Sequence, residues 1–539
     1  MKTFSPGGYG SMKVGLASPP AATQDINTGA VPSAKSRAQA AMKSHKLDEA
    51  LRCFEQATQQ SPDDIEVLVG LGRCLCQIGR RIEGIAHLRT AGTLLRAELQ
   101  ANTDVSPLLG VIAQLQQWND FEGALELSNT AALSHPNDHR VHQLLALTYS
   151  QLNRPGEALS AAQRALELDP ENSTMHILRA SLEIDAGQAA AAKAHLEDVI
   201  SYELNDREEF RAHKELARAL DKLGQYDQVF SHLNLAAGFA ANLPEYRDQN
   251  HTLIPALLAA NKHGFDRTLL ARWANERFPH QPSSLVFVVG FLRSGTTLAQ
   301  EVLAAHPDVF VADEADFIWA VNNELQRMVP LAASSAERLA RLDIDGVKHL
   351  RDFYWTRVKQ RFGDQIGKKL FVDKFTMNTL DLGLINGIFP DAKVIFAVRD
   401  PRDVCVSGYM QLMSPSPTTA HLVSWHGTAD IYAVVMDWWL HIQTQMTMPH
   451  HELRYEDAVT QFEPTFRKVF DFLGLSWDPQ VTKFHERAAG RFISTPSRSQ
   501  VAQPIYTSSV TRWRHFDAEV AEIADVLQPY ISAFGYEPF

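Results

Sequence analysis

Small and apolar positions recur along the first half of the chain at helical spacing. In "LDEALRCFEQATQQSP" Ala50, Phe54 and Ala57 precede Pro62 by 12, 8 and 5 residues. The same offsets place Ala124, Ser128 and Ala131 before Pro136, and Ala158, Ala162 and Ala165 before Pro170, with the two prolines 34 residues apart. Weaker copies follow at Gly84, Leu88 and Ala91, at Ala192, Leu196 and Val199, and at Val229, Leu233 and Ala236. Steps of three and four residues put each triplet on one face of a helix. Small side chains there let an antiparallel helix approach closely, and the proline stops the helix before the next pair begins. Turns such as "RPGEA" and "LGQYDQ" separate the paired helices.

Beyond residue 280 the period changes. Short β-branched runs, "LVFVV" (285–289), "VFV" (309–311), "KLFV" (369–372), "KVIFAV" (393–398) and "HELRY" (451–455), alternate with helix-period stretches such as "TTLAQEVLAAH" and "EPTFRKVFDFLGL". That alternation predicts a parallel sheet covered on both faces, with ligands at the carboxyl ends of its strands. The pair Trp438-Trp439 reads as core, because large aromatics are mostly buried.

A 34-residue helical period resembles that of tetratricopeptide repeats. The resemblance implies an α-helical solenoid over 35–240, either a plain scaffold or a concave groove for an extended peptide or partner. Residues 1–34 read as a flexible leader, 241–282 as a helical connector and 283–539 as the α/β domain. A chain of 539 residues is long enough for two or three domains.

Composition narrows the classes. The formal charge of -12 gives no sign of a nucleic-acid surface or basic membrane patch, so any anion site must be local. No apolar run is long enough to span a bilayer, and the leader has no continuous apolar stretch of the kind a cleavable signal needs. Cys53, Cys74, Cys76 and Cys405 match neither a zinc knuckle nor a disulfide framework, which points to a reducing compartment, the cytoplasm.

The candidate chemistry starts where the first run ends. Gly290-Phe291-Leu292-Arg293-Ser294-Gly295-Thr296-Thr297 has the glycine spacing of a nucleotide-triphosphate loop, but Thr296 stands where that loop has lysine. Backbone N–H groups from Arg293 through Ser294, Gly295, Thr296 and Thr297 can converge on an anion, helped by the following helix N-terminus. Lacking the lysine, the cradle suits a single phosphate better than a magnesium-bridged triphosphate. Arg399 at the end of "KVIFAV" and Ser407 eight residues later suggest a second anion site, with Pro401 starting the helix that carries the serine.

Together these two segments, "GFLRSGTTL" and "VIFAVRDPRDVCVSGY", resemble the 5′-phosphosulfate and 3′-phosphate motifs of sulfotransferases that use 3′-phosphoadenosine-5′-phosphosulfate (PAPS). "RSGTTL…AHPDV", "YEDAV", "FLGL" and "STPSRSQVAQPIYTSSVTRW" are most similar to tyrosylprotein sulfotransferases and to bacterial proteins joining tetratricopeptide repeats to such a domain. The resemblance implies an α/β P-loop-like sulfotransferase domain over 283–539 that uses PAPS as donor and no metal. It also implies the site residues. Glu314, eight residues after His306, takes the place of the catalytic base, with Asp313 inheriting the role in an alignment shifted by one. Lys374 and Arg293 would stabilise the leaving group, although Asp373-Lys374-Phe375 departs from the family's lysine, aspartate and proline. Ser497 matches a serine near the transferred group; Tyr455 and Arg512 match nucleotide-contacting positions, Arg512 replacing a lysine. The polar, proline-marked stretch Ser494 to Tyr506 reads as a lid that would exclude water.

The expected reaction is sulfuryl transfer from PAPS to a hydroxyl, first of all tyrosine in a peptide or protein held by the repeats. A carbohydrate, lipid or natural-product hydroxyl is the alternative acceptor, with a P-loop kinase or nucleotide hydrolase and a non-catalytic repeat adaptor as other classes. An acidic acceptor would need a local basic patch, for which Arg491, Arg498 and Arg512 are candidates. No nucleic acid or membrane span is expected among the partners, and a homo-oligomer is left open.

Overall fold

In the computed structural model the described residues are 33–44, 46–99, 104–278, 283–488, 495 and 498–538. The chain divides into two compact units, Met1–Leu204 and Asn205–Phe539.

The first unit is a run of helix pairs: Ala34–Lys43 with Leu47–Gln60, Ile65–Gln77 with Arg81–Glu98, Ser106–Gln117 with Phe121–Ser134, His139–Gln151 with Pro155–Leu168, and Ser173–Asp185 with Ala189–Ile200. Each triplet read from the sequence in this unit falls on the second helix of its pair and is buried, as with Ala158, Ala162 and Ala165 at 0% exposure. Pro62, Pro136 and Pro170 follow helices that end at Gln60, Ser134 and Leu168, and the residue before each proline has left helical geometry. Side chains of Asp64, Asp138 and Asn172 accept from the first-turn amides of the helices that come next.

Close approach is tightest between Ile65–Gln77 and Arg81–Glu98. A β-carbon on Gly84 would sit 2.5 Å from the Gly72 carbonyl oxygen and against Cys76 Sγ. Backbone cannot yield as a flexible side chain does. Gly84→Val is therefore expected to destabilise this unit by about 2 kcal/mol or more, read as a lower urea midpoint.

The second unit opens with a further hairpin, α1 (Asp206–Lys222) and α2 (Tyr226–Asn242), and Val229, Leu233 and Ala236 on α2 are buried like the other triplets. Short helices between Pro244 and Leu270 lead to the sheet. Its strands are β1 (Leu285–Gly290), β2 (Val309–Asp313), β3 (Leu370–Lys374), β4 (Lys393–Val398) and β5 (His450–Arg454), ordered β2-β3-β1-β4-β5 and parallel throughout. β1 is buried along its whole length, as a central strand covered on both faces must be. Helix α3 (Thr296–Ala304) follows β1, α4 (Pro401–Met410) follows β4, and α5 (Trp425–Gln445) packs on the sheet. Trp438 and Trp439 on α5 are core: the Trp439 ring stacks on Phe396 at 3.7 Å, and the Trp438 indole donates to the Thr379 carbonyl at 2.8 Å.

The parallel order fixes where chemistry can happen. β1 lies between β3 and β4, so the loop leaving β1 has the end of β3 on one flank and the end of β4 on the other. Among the described residues, no helix is long and apolar enough to cross a membrane. All four cysteines are free thiols.

Candidate functional site

The loop after β1 is held by backbone geometry. Gly295, the residue before α3, has φ +99°, and a β-carbon there would come within 2.7 Å of the Tyr455 ring. Only glycine satisfies both constraints. At the head of α3 the amides of Thr296 and Thr297 have no intrahelical acceptor, as at any helix start, and so are available to an anion. The side chains divide. Thr297 and Gly295 line a cavity of about 240 Å³, whereas the Ser294 hydroxyl donates to the Phe291 carbonyl at 2.7 Å and the Thr296 hydroxyl pairs with Thr376 at 2.9 Å. Ser294 and Thr296 thus offer backbone, not hydroxyls, to a ligand. Thr297 Oγ1 meets Thr495 Oγ1 at 3.1 Å.

Arginines dominate the cavity. Arg293, Arg399 and Arg512 line it together with Ser407, Tyr455 and Ser509. Arg293 donates through Nε to Ser407 Oγ at 3.0 Å and through Nη2 to Gln500 Oε1 at 3.1 Å. Burial, with Arg399 close by, lowers its guanidinium to about 10. Arg399 donates to the carbonyls of Arg293 at 3.2 Å and Ser509 at 2.6 Å, and its guanidinium stacks over the Tyr455 ring at 4.7 Å. Its Nε is buried with no hydrogen-bond acceptor among the described residues. A buried charged donor in that condition is costly, and an incoming anion would satisfy it. The cavity fits a phosphorylated ligand on that ground.

Arg512 is fixed at its backbone and at its side chain. The Asp403 carboxylate accepts from the amides of Thr511 and Trp513, each at 2.9 Å, on either side of the arginine. Its guanidinium pairs with Asp221 Oδ1 on α1 at 2.6 Å.

On the other flank, Lys374 at the end of β3 reaches Glu314 Oε1 at 2.7 Å and Asp313 Oδ1 at 3.8 Å, with its own side chain fully buried. Burial pushes the Glu314 carboxyl upward against the opposing pull of the Lys374 ammonium. Neither residue lines the arginine cavity. The segment after Lys374 ties the two regions together, because Thr376 bonds Thr296 while Thr379 Oγ1 donates to the Gly290 carbonyl at 2.7 Å and accepts from the Gly290 amide at 2.9 Å. Asp313 and Glu314 are therefore both at hand, but the direct short contact to the lysine belongs to Glu314.

Backbone strain marks the same place. Of the five described non-glycine residues with positive φ, Arg293 (69°), Glu314 (44°) and Thr511 (57°) belong to these segments. Such conformations cost about 1 kcal/mol or more each and persist where surrounding structure enforces them.

Sequence reasoning named the loop, Arg399, Ser407, Tyr455, Arg512, Glu314 and Lys374, and all are described here. Ser497 lies outside the described residues, as does Arg491. Gln500 to Tyr506, the described end of the expected lid, supplies Gln500, Val501, Gln503, Pro504, Ile505 and Tyr506 to the cavity wall. Asp221 and Thr379 are not legible in the sequence, and Asp403 is legible only as a member of the segment Arg399-Asp400-Pro401-Arg402-Asp403 after β4. Their partners are distant in sequence, and isolated acids and threonines carry no spacing signal. Among the described residues, no cluster of three or more histidine, cysteine or acidic side chains is arranged to hold a metal.

Comparison with known proteins fits this geometry. Residues 285–479 match the family model described as "Sulfotransferase family". Over these residues the chain is similar to a sulfotransferase domain. Two earlier stretches, 41–92 and 139–172, match "Tetratricopeptide repeat". A protein of Aquifex aeolicus (strain VF5), described as uncharacterized, is 23% identical over 531 residues, covering 90% of this chain and 68% of its own. Protein-tyrosine sulfotransferase A of Caenorhabditis elegans is 24% identical over 273 residues, 48% of this chain and 69% of its own. Protein-tyrosine sulfotransferase 1 of Homo sapiens is 25% identical over 294 residues, 51% of this chain and 75% of its own.

Proposed function

We propose that the protein transfers the sulfuryl group of PAPS to an acceptor hydroxyl, tyrosine in a peptide or protein being the acceptor and the helical repeats of 35–240 its holding surface. The observation that carries the donor assignment is the arginine cavity, above all the buried, unpartnered Nε of Arg399 beside the lysine-free loop. The head of α3, Arg293, Arg399 and Ser407 form one linked set of donors, Arg293 bonding Ser407, that offers several charged contacts to phosphate without the lysine a triphosphate chain needs.

When bound, PAPS supplies a sulfur–oxygen bond to its 5′-phosphate, which breaks as the acceptor oxygen bonds to sulfur. Glu314 takes the acceptor's proton, a role that its upward shift makes easier near neutral pH. Lys374, held 2.7 Å from Glu314, keeps that carboxylate oriented and brings positive charge to the side of the loop. Arg293 supplies counter-charge for the oxygen that departs, and the loop amides fix the phosphate in place. No residue in this scheme requires a metal.

Tyrosine as acceptor is supported by the two relatives named as protein-tyrosine sulfotransferases. Four free cysteines suit a reducing compartment, and we place the protein in the cytoplasm. The decisive test is incubation with ³⁵S-labelled PAPS and a cell extract, followed by mass spectrometry of the labelled species. Label on tyrosine of a protein is the expected result. Label confined to sugar, lipid or small-molecule hydroxyls would replace the acceptor, and no label together with ATP turnover in Mg²⁺ would replace the donor.

A further inference from the structure

The cavity has an unexpected wall. Asp221, Lys222 and Tyr226, from the α1–α2 hairpin, line it alongside the arginines of the α/β domain. Among the described residues, Asp221 is the only acid in that lining, which also holds Lys222, Arg293, Arg399 and Arg512. It also stands in the last turn of α1, where the helix dipole disfavours negative charge. The dipole cost at that position is offset by the cations of the cavity, and Arg512 makes the direct contact. Nε and Nη2 of Arg512 both lie on Asp221 Oδ1, at 3.0 and 2.6 Å, with Met410 Sδ 2.9 Å from Nη2. No described residue bonds Nη1, so the guanidinium keeps donors for a ligand.

The same hairpin grips the helix that carries Ser407. Lys214 on α1, fully buried, donates to the Tyr409 carbonyl at the end of α4, and the Tyr409 hydroxyl donates to Asn234 on α2 at 2.8 Å. Beyond Arg512, the Tyr226 ring stacks on His515 at 4.0 Å and 10°. Each face of the hairpin contact thus ends on a group that lines the cavity: Ser407 through α4, and Arg512 through Asp221.

We propose that the α1–α2 hairpin is a working wall of the nucleotide site, in which Asp221 is a positioning residue that aims Arg512 at one phosphate of the bound nucleotide. This rests on the PAPS reading above. It gives a helical hairpin built like the repeats a direct part in donor binding.

The experiment is calorimetry on the full chain with adenosine 3′,5′-bisphosphate, adenosine 5′-monophosphate and adenosine 3′-monophosphate, comparing wild type, Asp221→Asn and Asp221→Glu. Asp221→Asn is expected to bind the bisphosphate about tenfold more weakly, the size of one charge-assisted bond lost or misaligned. The loss should recur with only one of the two monophosphates, and Asp221→Glu should recover most of it. Unchanged or tighter binding in Asp221→Asn would overturn the proposal. So would an equal loss on all three ligands with a lowered melting temperature, which is what a purely structural role gives. If wild type binds none of the three, the PAPS reading falls and this inference with it; if wild type binds and Asp221→Asn is unaffected, only this inference falls.

Discussion

Glu314→Gln lowers turnover by about a thousandfold while leaving affinity for adenosine 3′,5′-bisphosphate within about twofold of wild type, in the range set by loss of a general base. The split follows from the structure, since Glu314 stands outside the arginine cavity and touches Lys374 instead. Amide for carboxylate keeps the shape and still accepts a bond from the lysine, so the fold should hold. The pH profile gives the independent check. The base works only when ionised, so wild-type kcat/KM falls as pH drops through the Glu314 midpoint, and burial places that midpoint above the ordinary carboxyl value of 4.5. In Glu314→Gln the acidic limb disappears. Should the limb persist unchanged, with the rate intact, Asp313 becomes the residue to test.

Arg399→Ala has the opposite signature. Nucleotide affinity is expected to fall about a hundredfold or more, because a buried guanidinium loses at least one charge-assisted bond to phosphate of about 1.5–3 kcal/mol together with its share of the local field. Turnover at saturating donor should fall much less. Arg399 also donates to the carbonyls of Arg293 and Ser509, so some loosening of the loop is expected in the same variant. Arg399→Lys separates the two contributions: it restores charge but cannot keep the forked bonds, and should recover part of the affinity. Calorimetry with adenosine 3′,5′-bisphosphate reads both variants.

Local pattern carried most of the architecture. The triplets of small and apolar residues, three of them ahead of a proline, named the second helix of every pair, because one buried face is all that a stacked hairpin needs. The five short runs named the five strands to within two residues at either end; the central ones are apolar because they are buried on both faces, whereas the edge strand β5 is polar and partly exposed. Arg399 and the loop were legible for a related reason, since they sit at strand ends that the strand reading itself locates, and Ser407 followed from its spacing of eight residues to Arg399, which puts it in the second turn of α4. What stayed hidden were links across the fold. Nothing near Glu314 announces that Lys374, sixty residues on, will bury itself against it. Asp221 sits among ordinary polar residues of a helix, and only the fold brings it to Arg512.

Because all five strands run in one direction, Gly290, Glu314, Lys374 and Arg399 all lie at the rim where the strands end, and the opposite rim is where the strands begin. The turn from Gly363 to Lys369 that feeds β3 belongs to that opposite rim and is mostly open to solvent. A fluorophore attached there, for instance at Asp364, gives an optical handle at the opposite end of the sheet from the arginine cavity.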